Sequence, residues 1–180
     1  MKKLSYKIAL GGVIASLALL LMFMTGFGPF FTYICPAFAG CLLTMIVIEI
    51  SPKWAFVTYA AISILSIFTT PDKEATIIFI FLLGYYPIAK SLIERMKKPI
   101  IQWIIKFGVF NVSVISAYWL IINVFGMGQI LEDLGDWGKY GIWIFLAFAN
   151  VVFVVYDIFL TTYVAFYIKW FRPNILKKIK

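Results

Sequence analysis

The chain has 180 residues, of which 63% are hydrophobic and 13% are charged, and its mean hydropathy is +0.98. A water-soluble domain of this size cannot bury so much apolar surface, so the composition excludes that class and predicts one integral membrane domain over residues 1–180. The net charge of +8 does not indicate nucleic-acid binding, because the basic residues lie at the ends of apolar segments.

Six apolar segments follow one another, and together they predict an all-α, compact bundle of six transmembrane helices. Their approximate ranges are 7–26, 30–50, 54–70, 75–94, 99–125 and 141–170. The first segment has a basic start, as a signal peptide does, but no small-x-small cleavage site follows, so we expect a membrane helix there. Pro36 and Pro87 lie inside segments and predict kinks.

The lysines and arginines orient the predicted bundle. Of the 16 in the chain, only Lys73 and Lys139 fall on the side opposite to the N-terminus. Because basic residues concentrate in cytoplasmic connections, this distribution predicts a multi-pass membrane protein with both termini in the cytoplasm.

The longest connection, over residues 126–141, is rich in glycine and mildly acidic. Its apolar residues recur at helical spacing, which favours a short helix on the membrane surface; they are Ile130, Leu131, Leu134 and Trp137. A plain connector that places its tryptophan at the membrane interface fits equally well. The sequence leaves open whether this connection closes over a pocket.

Polar residues of the second, third, fifth and sixth segments align along single helix faces when the chain is projected at about 100° per residue. Such stripes predict a polar, partly hollow interior surrounded by a lipid-facing apolar surface. In the outer half, hydrogen-bonding groups mixed with aromatic rings favour a small organic ligand, or else ordinary hydrogen bonds between helices. The candidate substrate-binding residues are Tyr33, Ser66, Thr70, Ser116, Asn123, Trp143 and Asn150.

Two charged residues lie well inside predicted membrane segments, away from the segment ends: Lys106 on the fifth and Asp157 on the sixth. Both fall in the cytoplasmic half when the rise per residue is about 1.5 Å. Opposite charges at similar depth on adjacent helices predict a buried ion pair that holds the bundle together. A direct role in transport or catalysis is the alternative.

Catalytic and metal-binding chemistry finds little support. The chain has no histidine, and Cys35 and Cys41 point to different faces of one segment, which suits neither a metal site nor a disulfide. No HExxH, GxSxG or phosphate-binding loop is present. We therefore expect no enzyme activity, no cofactor and no metal, and any active transport needs an ATP-hydrolysing partner.

The first segment contains two rows of small residues in the stretch ALGGVIASLA. Gly11, Ala15 and Ala18 form one row and Ala9, Gly12 and Ser16 the other, about 125° apart on the helix. One row is enough for packing inside the bundle, so the second suggests either another neighbour in the same fold or a second polypeptide.

In its plan the chain resembles the substrate-binding S-components of energy-coupling factor (ECF) transporters. The shared features are a size near 180 residues, six helices, both termini inside, a basic entry to helix one and outer connections after helices one, three and five. In that family an AxxxA-type motif on helix one docks onto a transmembrane coupling protein. Gly11 and Ala15 of GGVIA match it, with glycine replacing the first alanine, and Ala18 extends the row.

The resemblance implies a subunit of a bacterial plasma membrane that binds a vitamin-like small molecule from outside and associates with a coupling protein and two ATPases. Two alternatives belong to other classes. One is a ligand-free structural membrane protein similar to the small six-helix cell-shape proteins of bacteria. The other is a secondary transporter that works alone, although the chain shows no internal repeat.

Overall fold

The computed structural model describes residues 4–126 and 140–176. Six of its helices are long and apolar enough to cross a membrane, which confirms the predicted helical class. The helices are α1 (Leu4–Phe23, followed by a 3-10 turn at Met24–Phe27), α2 (Phe31–Glu49), α3 (Pro52–Thr69), α4 (Lys73–Ile93), α5 (Pro99–Asn123) and α6 (Gly141–Phe166, continued by wider π-type turns over Tyr167–Leu176). The surface helix expected within 126–141 falls on residues 127–139, outside the described residues.

Polar caps fix the starts of two helices. Ser51 precedes α3, where its side chain accepts a hydrogen bond from the Trp54 N–H at 3.4 Å, and Pro52 occupies the first turn. Asp72 precedes α4 and accepts a hydrogen bond from the Ala75 N–H at 3.2 Å. A proline in the first turn removes no helical hydrogen bond, and a capping oxygen satisfies a free N–H group. Each helix can therefore begin directly after a short connection.

Helix α2 lies at the centre and contacts α1, α3, α4 and α6. On one side of it, α1 and α3 complete a dense core that we call the close-packed region. Its fully buried side chains include Ala18, Met22, Ala39, Leu43 and Ile62. On the other side, α4, α5 and α6 form a second core of larger, mainly aromatic side chains, which we call the aromatic region.

Helices α2 and α4 approach each other closely at Gly40. A Cβ atom built on Gly40 would lie 2.1 Å from the carbonyl oxygen of Leu83 and 3.2 Å from the hydroxyl of Tyr156. No side chain fits in this space, so the glycine allows the two backbones to touch.

Helix α4 is interrupted by a wider π-type turn at Phe79–Leu83, where the Gly84 N–H bonds to the carbonyl five residues earlier at 2.8 Å. The Tyr59 hydroxyl of α3 donates a 2.5 Å hydrogen bond to another carbonyl of this turn. A regular α-helix resumes at Tyr86, and Pro87 lies in its first turn. The irregularity expected at this proline is therefore a change of helix type just before it, and a carbonyl of that turn accepts a hydrogen bond from the neighbouring helix α3.

The bundle has two chemically different ends. The basic end carries the α2–α3 and α4–α5 connections and holds Lys53, Arg95, Lys97, Lys98, Lys169 and Arg172. There Arg172 Nε lies 3.0 Å from the buried Glu49 carboxylate, which ties the end of α6 to the end of α2. At the opposite end, Lys73 is the only basic residue among those that the structure describes.

Candidate functional site

A cavity of about 450 Å³ lies in the aromatic region between α2, α4, α5 and α6. Aromatic rings and aliphatic side chains form nearly all of its wall. The described lining residues are Tyr33, Ala37, Ile78, Leu82, Leu83, Phe110, Val114, Ala117, Tyr118, Phe145, Phe148, Ala149, Val152, Phe153 and Tyr156. The tyrosine hydroxyls are the only polar side-chain groups in this set, so the cavity suits a mainly apolar ligand.

The cavity reaches the molecular surface on the side of α6. Phe148 and Val152 line it and are also 66% and 49% exposed, and Tyr33 on α2 is 50% exposed. These residues belong to helices long and apolar enough to cross a membrane. Side chains of α6 therefore contact both the cavity and the outer surface of the bundle, which a membrane-spanning helix turns toward lipid.

A cluster of two tyrosines and one carboxylate lies at the end of the cavity farthest from the basic end. The Tyr33 hydroxyl donates a 2.8 Å hydrogen bond to Glu74 Oε1, and the Tyr118 hydroxyl lies 3.4 Å from the same oxygen. The two hydroxyls are 3.5 Å apart. Because Tyr33 and Tyr118 also line the cavity, Glu74 lies one hydrogen bond beyond its wall. We call these three residues the tyrosine–carboxylate cluster.

A second polar group, the charge cluster, lies toward the basic end and contains two lysines and two carboxylates. Lys90 Nζ is 2.7 Å from Asp157 Oδ1 and 2.6 Å from Glu94 Oε1. Lys106 Nζ is 3.0 Å from Asp157 Oδ2 and 2.8 Å from the same Glu94 oxygen. The side chains are at most 6% exposed except that of Glu94, which is 39% exposed. Every charge is therefore neutralised, and three helices are joined at one point.

Tyr86 separates the charge cluster from the cavity. Its hydroxyl donates a 2.5 Å hydrogen bond to Asp157 Oδ1, and its fully buried ring packs edge-to-face on Phe153 at 5.0 Å. Phe153 in turn stacks on Phe110 at 4.3 Å, and both rings line the cavity. The charges therefore contribute no side chain to the cavity wall that the structure describes.

The ion pair expected between Lys106 and Asp157 is present, but it is half of a larger group. Lys90 and Glu94 complete the group, and neither was predicted as a partner of Asp157 or Lys106. Their spacing of four residues on one helix is the signal that could have indicated their pairing.

Of the seven expected substrate-binding residues, Tyr33 alone lines the cavity. Ser66 is fully buried on α3, where its hydroxyl donates to the Ser63 carbonyl at 2.9 Å. Thr70 is 2% exposed, and its hydroxyl has no partner among the described residues. Ser66 and Thr70 therefore contribute nothing to the described wall of the cavity.

The remaining four expected residues lie on α5 and α6 outside the cavity wall. Trp143 is 69% exposed, Ser116 is half-buried, and Asn123 is exposed and donates a 2.8 Å hydrogen bond to a carbonyl of its own helix. Asn150 exchanges two hydrogen bonds with Asn111, at 2.9 and 3.0 Å. Polar side chains in apolar surroundings bond to the nearest backbone or amide, so a polar stripe need not line a cavity.

The small residues of α1 lie on two different surfaces. Ala18 is fully buried, Ala15 packs against the close-packed core, and a Cβ atom on Gly11 would contact the Thr58 hydroxyl at 3.4 Å. The row expected to dock a partner therefore packs within the bundle against α3. Gly12 belongs to the other row, is exposed, and has open space around its Cβ position.

No protein-family model, curated protein or solved structure matches the chain. Functional inference for this chain therefore depends on its own cavity, its polar clusters and the plan of its helices.

Proposed function

We propose that the protein is a membrane-embedded binding subunit for the uptake of a small, vitamin-like molecule, energised by partner proteins. The observation that carries the proposal is the cavity of about 450 Å³ between α2, α4, α5 and α6. Its volume falls within the range of pockets that hold small molecules, about 300–1,000 Å³. A purely structural bundle gains nothing from such a space, because an unfilled cavity weakens packing.

The placement of polar groups favours binding over catalysis. At one end the cavity has the hydroxyls of Tyr33 and Tyr118 and one nearby carboxylate, and the charge cluster contributes no side chain to the described wall. A mainly apolar wall with polar groups at one end orients a ligand without reacting with it. No catalytic group is therefore assigned in this proposal.

Uptake needs an energy source that the sequence motifs do not supply, so the proposal includes a transmembrane coupling protein and an ATPase pair, as the ECF resemblance implies. The basic end then faces the bacterial cytoplasm, and the tyrosine–carboxylate cluster faces outward. Because Gly11, Ala15 and Ala18 pack internally, we assign docking to the exposed row of Ala9, Gly12 and Ser16.

A ligand screen tests the binding proposal. The protein, purified in detergent, is heated with individual vitamins and nucleobases, and a bound compound raises the melting temperature in a concentration-dependent manner. Ala149→Trp is the matched control, because Ala149 lines the cavity and a larger ring fills it. We expect the stabilisation to vanish in that variant. If no compound stabilises the unsubstituted protein, a ligand-free structural role is favoured instead.

Two glycine variants test the partner proposal. Gly12→Leu changes the exposed row and should leave the melting temperature unchanged while preventing co-purification of an ATPase-containing complex. Gly11→Leu crowds Thr58 and should lower the melting temperature itself. If Gly12→Leu retains the partner, docking does not use this row.

The four-residue charge cluster favours one second candidate, a secondary transporter that works alone, because intramembrane charges often mark ion pathways. Proteoliposomes containing only this chain distinguish the two candidates. Ligand accumulation driven by a proton gradient, without any ATPase, would support the second candidate and contradict the first.

A further inference from the structure

The tyrosine–carboxylate cluster contains a negative charge without a described counter-ion. Among residues 4–126 and 140–176, no lysine or arginine forms an ion pair with Glu74. Its neighbour Lys73 directs its ammonium group elsewhere, to the carbonyl oxygens of Ile67 at 2.9 Å and Thr70 at 3.3 Å. Both described hydrogen bonds to Glu74 reach the single oxygen Oε1. The carboxylate therefore retains capacity for a cationic partner.

Aromatic rings surround the approach to this carboxylate from the cavity. Tyr33 and Tyr118 both line the cavity and contact Glu74, and Phe145 packs edge-to-face on Tyr118 at 5.1 Å. The negative faces of such rings attract ammonium groups, most strongly where water is excluded. A carboxylate behind tyrosine rings is thus a recognition arrangement for an organic cation.

The other residues that line the cavity do not favour an anionic ligand. No lysine or arginine is among the described residues that line it, and Lys90 and Lys106 are already paired behind Tyr86. A ligand anion would find no positive group there and would meet the charge of Glu74. Away from this end the wall is aromatic and aliphatic, with the Tyr156 hydroxyl as its remaining polar side-chain group.

We propose that the cavity binds a monovalent organic cation, with a protonated amine beside Glu74 and an apolar, ring-containing body between α5 and α6. This inference rests on the proposed binding function and specifies the class of ligand. The amine takes the place of the tyrosine hydroxyls as partner of Glu74, so ligand entry breaks the hydrogen bonds of Tyr33 and Tyr118 to Oε1.

Three compounds with one body and different head groups test the charge preference. They are 4-phenylbutylamine, 4-phenylbutan-1-ol and 4-phenylbutyrate, titrated by calorimetry into the purified protein in a neutral, non-ionic detergent. We expect the amine to bind at least about tenfold more tightly than the alcohol, which corresponds to about 1.4 kcal/mol, and the acid to bind most weakly. Ala149→Trp identifies any signal that comes from partition into the micelle.

Two isosteric variants locate the effect. Glu74→Gln keeps the shape of the side chain and should remove the preference for the amine, whereas Glu94→Gln in the charge cluster should retain it. If Glu74→Gln does not fold, the comparison of the three compounds on the unsubstituted protein still tests the preference for a cationic ligand. Tyr118→Phe, which keeps the carboxylate and the ring, should preserve the preference.

The outcomes separate this inference from the binding proposal. Equal binding of the three compounds, lost in Ala149→Trp, overturns the preference for cations and leaves the binding function standing. An unchanged preference in Glu74→Gln overturns the assignment to this carboxylate. Failure of the amine to bind overturns the ligand class, while the separate vitamin screen decides the binding function.

Discussion

The two sides of α2 are packed by different means. In the close-packed region, small residues such as Ala18 and Ala39 bring α1, α2 and α3 together until the core side chains are fully buried. In the aromatic region, large rings such as Phe110 and Phe153 stack on one another and leave a cavity beside α6. Both regions are apolar, so side-chain size and shape produce the difference, and polarity does not.

This contrast shows where the bundle has freedom to move. Small residues at helix contacts permit many short-range van der Waals contacts, which are the main attraction between helices in lipid. Helix α6 has no glycine, alanine, serine or threonine between Ala149 and Thr161, and the stacking of Phe153 on Phe110, the charge cluster and the contact of Arg172 with Glu49 hold it. A ligand that enters beside α6 therefore needs to separate few close contacts.

The largest expected effect comes from forcing α2 and α4 apart. Gly40→Ala places a methyl group 2.1 Å from the Leu83 carbonyl oxygen, and backbone at that position cannot yield as a side chain does. We expect a loss of about 3 kcal/mol or more in the free energy of unfolding, measured by titration with a denaturing detergent in mixed micelles. Gly12→Ala, which meets open space, is the control and should not destabilise.

The charge cluster gives the next largest effect. Asp157→Asn leaves two buried lysines with one carboxylate and should cost about 3 kcal/mol. When Lys106→Met is added to Asp157→Asn, the charges that remain in the cluster are those of Lys90 and Glu94, which pair at 2.6 Å. The double variant should therefore be more stable than Asp157→Asn alone. Lys169→Met, on the exposed surface, controls for general loss of charge. Losses that simply add in the double variant would contradict the coupling.

Enlarging one alanine in each region tests the contrast directly. Ala39→Leu overfills the close-packed core and should cost about 1–3 kcal/mol in unfolding free energy. Ala149→Leu fills part of the cavity and should stabilise the empty protein by about 0.5–2 kcal/mol. Equal destabilisation by both substitutions would show that the cavity region is as tightly packed as the other.

The smallest expected effect concerns the amide pair between α5 and α6. Asn150→Ala removes two hydrogen bonds to Asn111, at 2.9 and 3.0 Å, and polar contacts between membrane helices contribute only about 0.6 kcal/mol on average. The change in unfolding free energy should therefore stay below about 1 kcal/mol. A loss comparable to that of Asp157→Asn would make the amide pair, and not the charges, the main link to α6.

The sequence predicts the helices well because apolar segment length and proline position both depend on local chemistry. The pairing of Lys106 with Asp157 was also predictable, since a buried charge needs a nearby partner of opposite charge. Helical projection could not tell which of the rows containing Gly11 and Gly12 faces inward, because it gives angles within one helix and no direction toward a neighbour. It could not identify Tyr118 as a lining residue either, since shape mismatch between rings creates the cavity.

The π-type turn at Phe79–Leu83 has a consequence for how the chain tolerates changes in length. A turn of this kind holds one residue more than an α-helical turn of the same rise. Removing one residue within it would restore a regular helix while keeping Ile78 toward the cavity and Tyr86 toward the charge cluster. A deletion in the regular helix between Tyr86 and Lys90 would instead rotate Lys90 by about 100° away from the Asp157 carboxylate that both residues contact. Related chains that differ by one residue should therefore differ here.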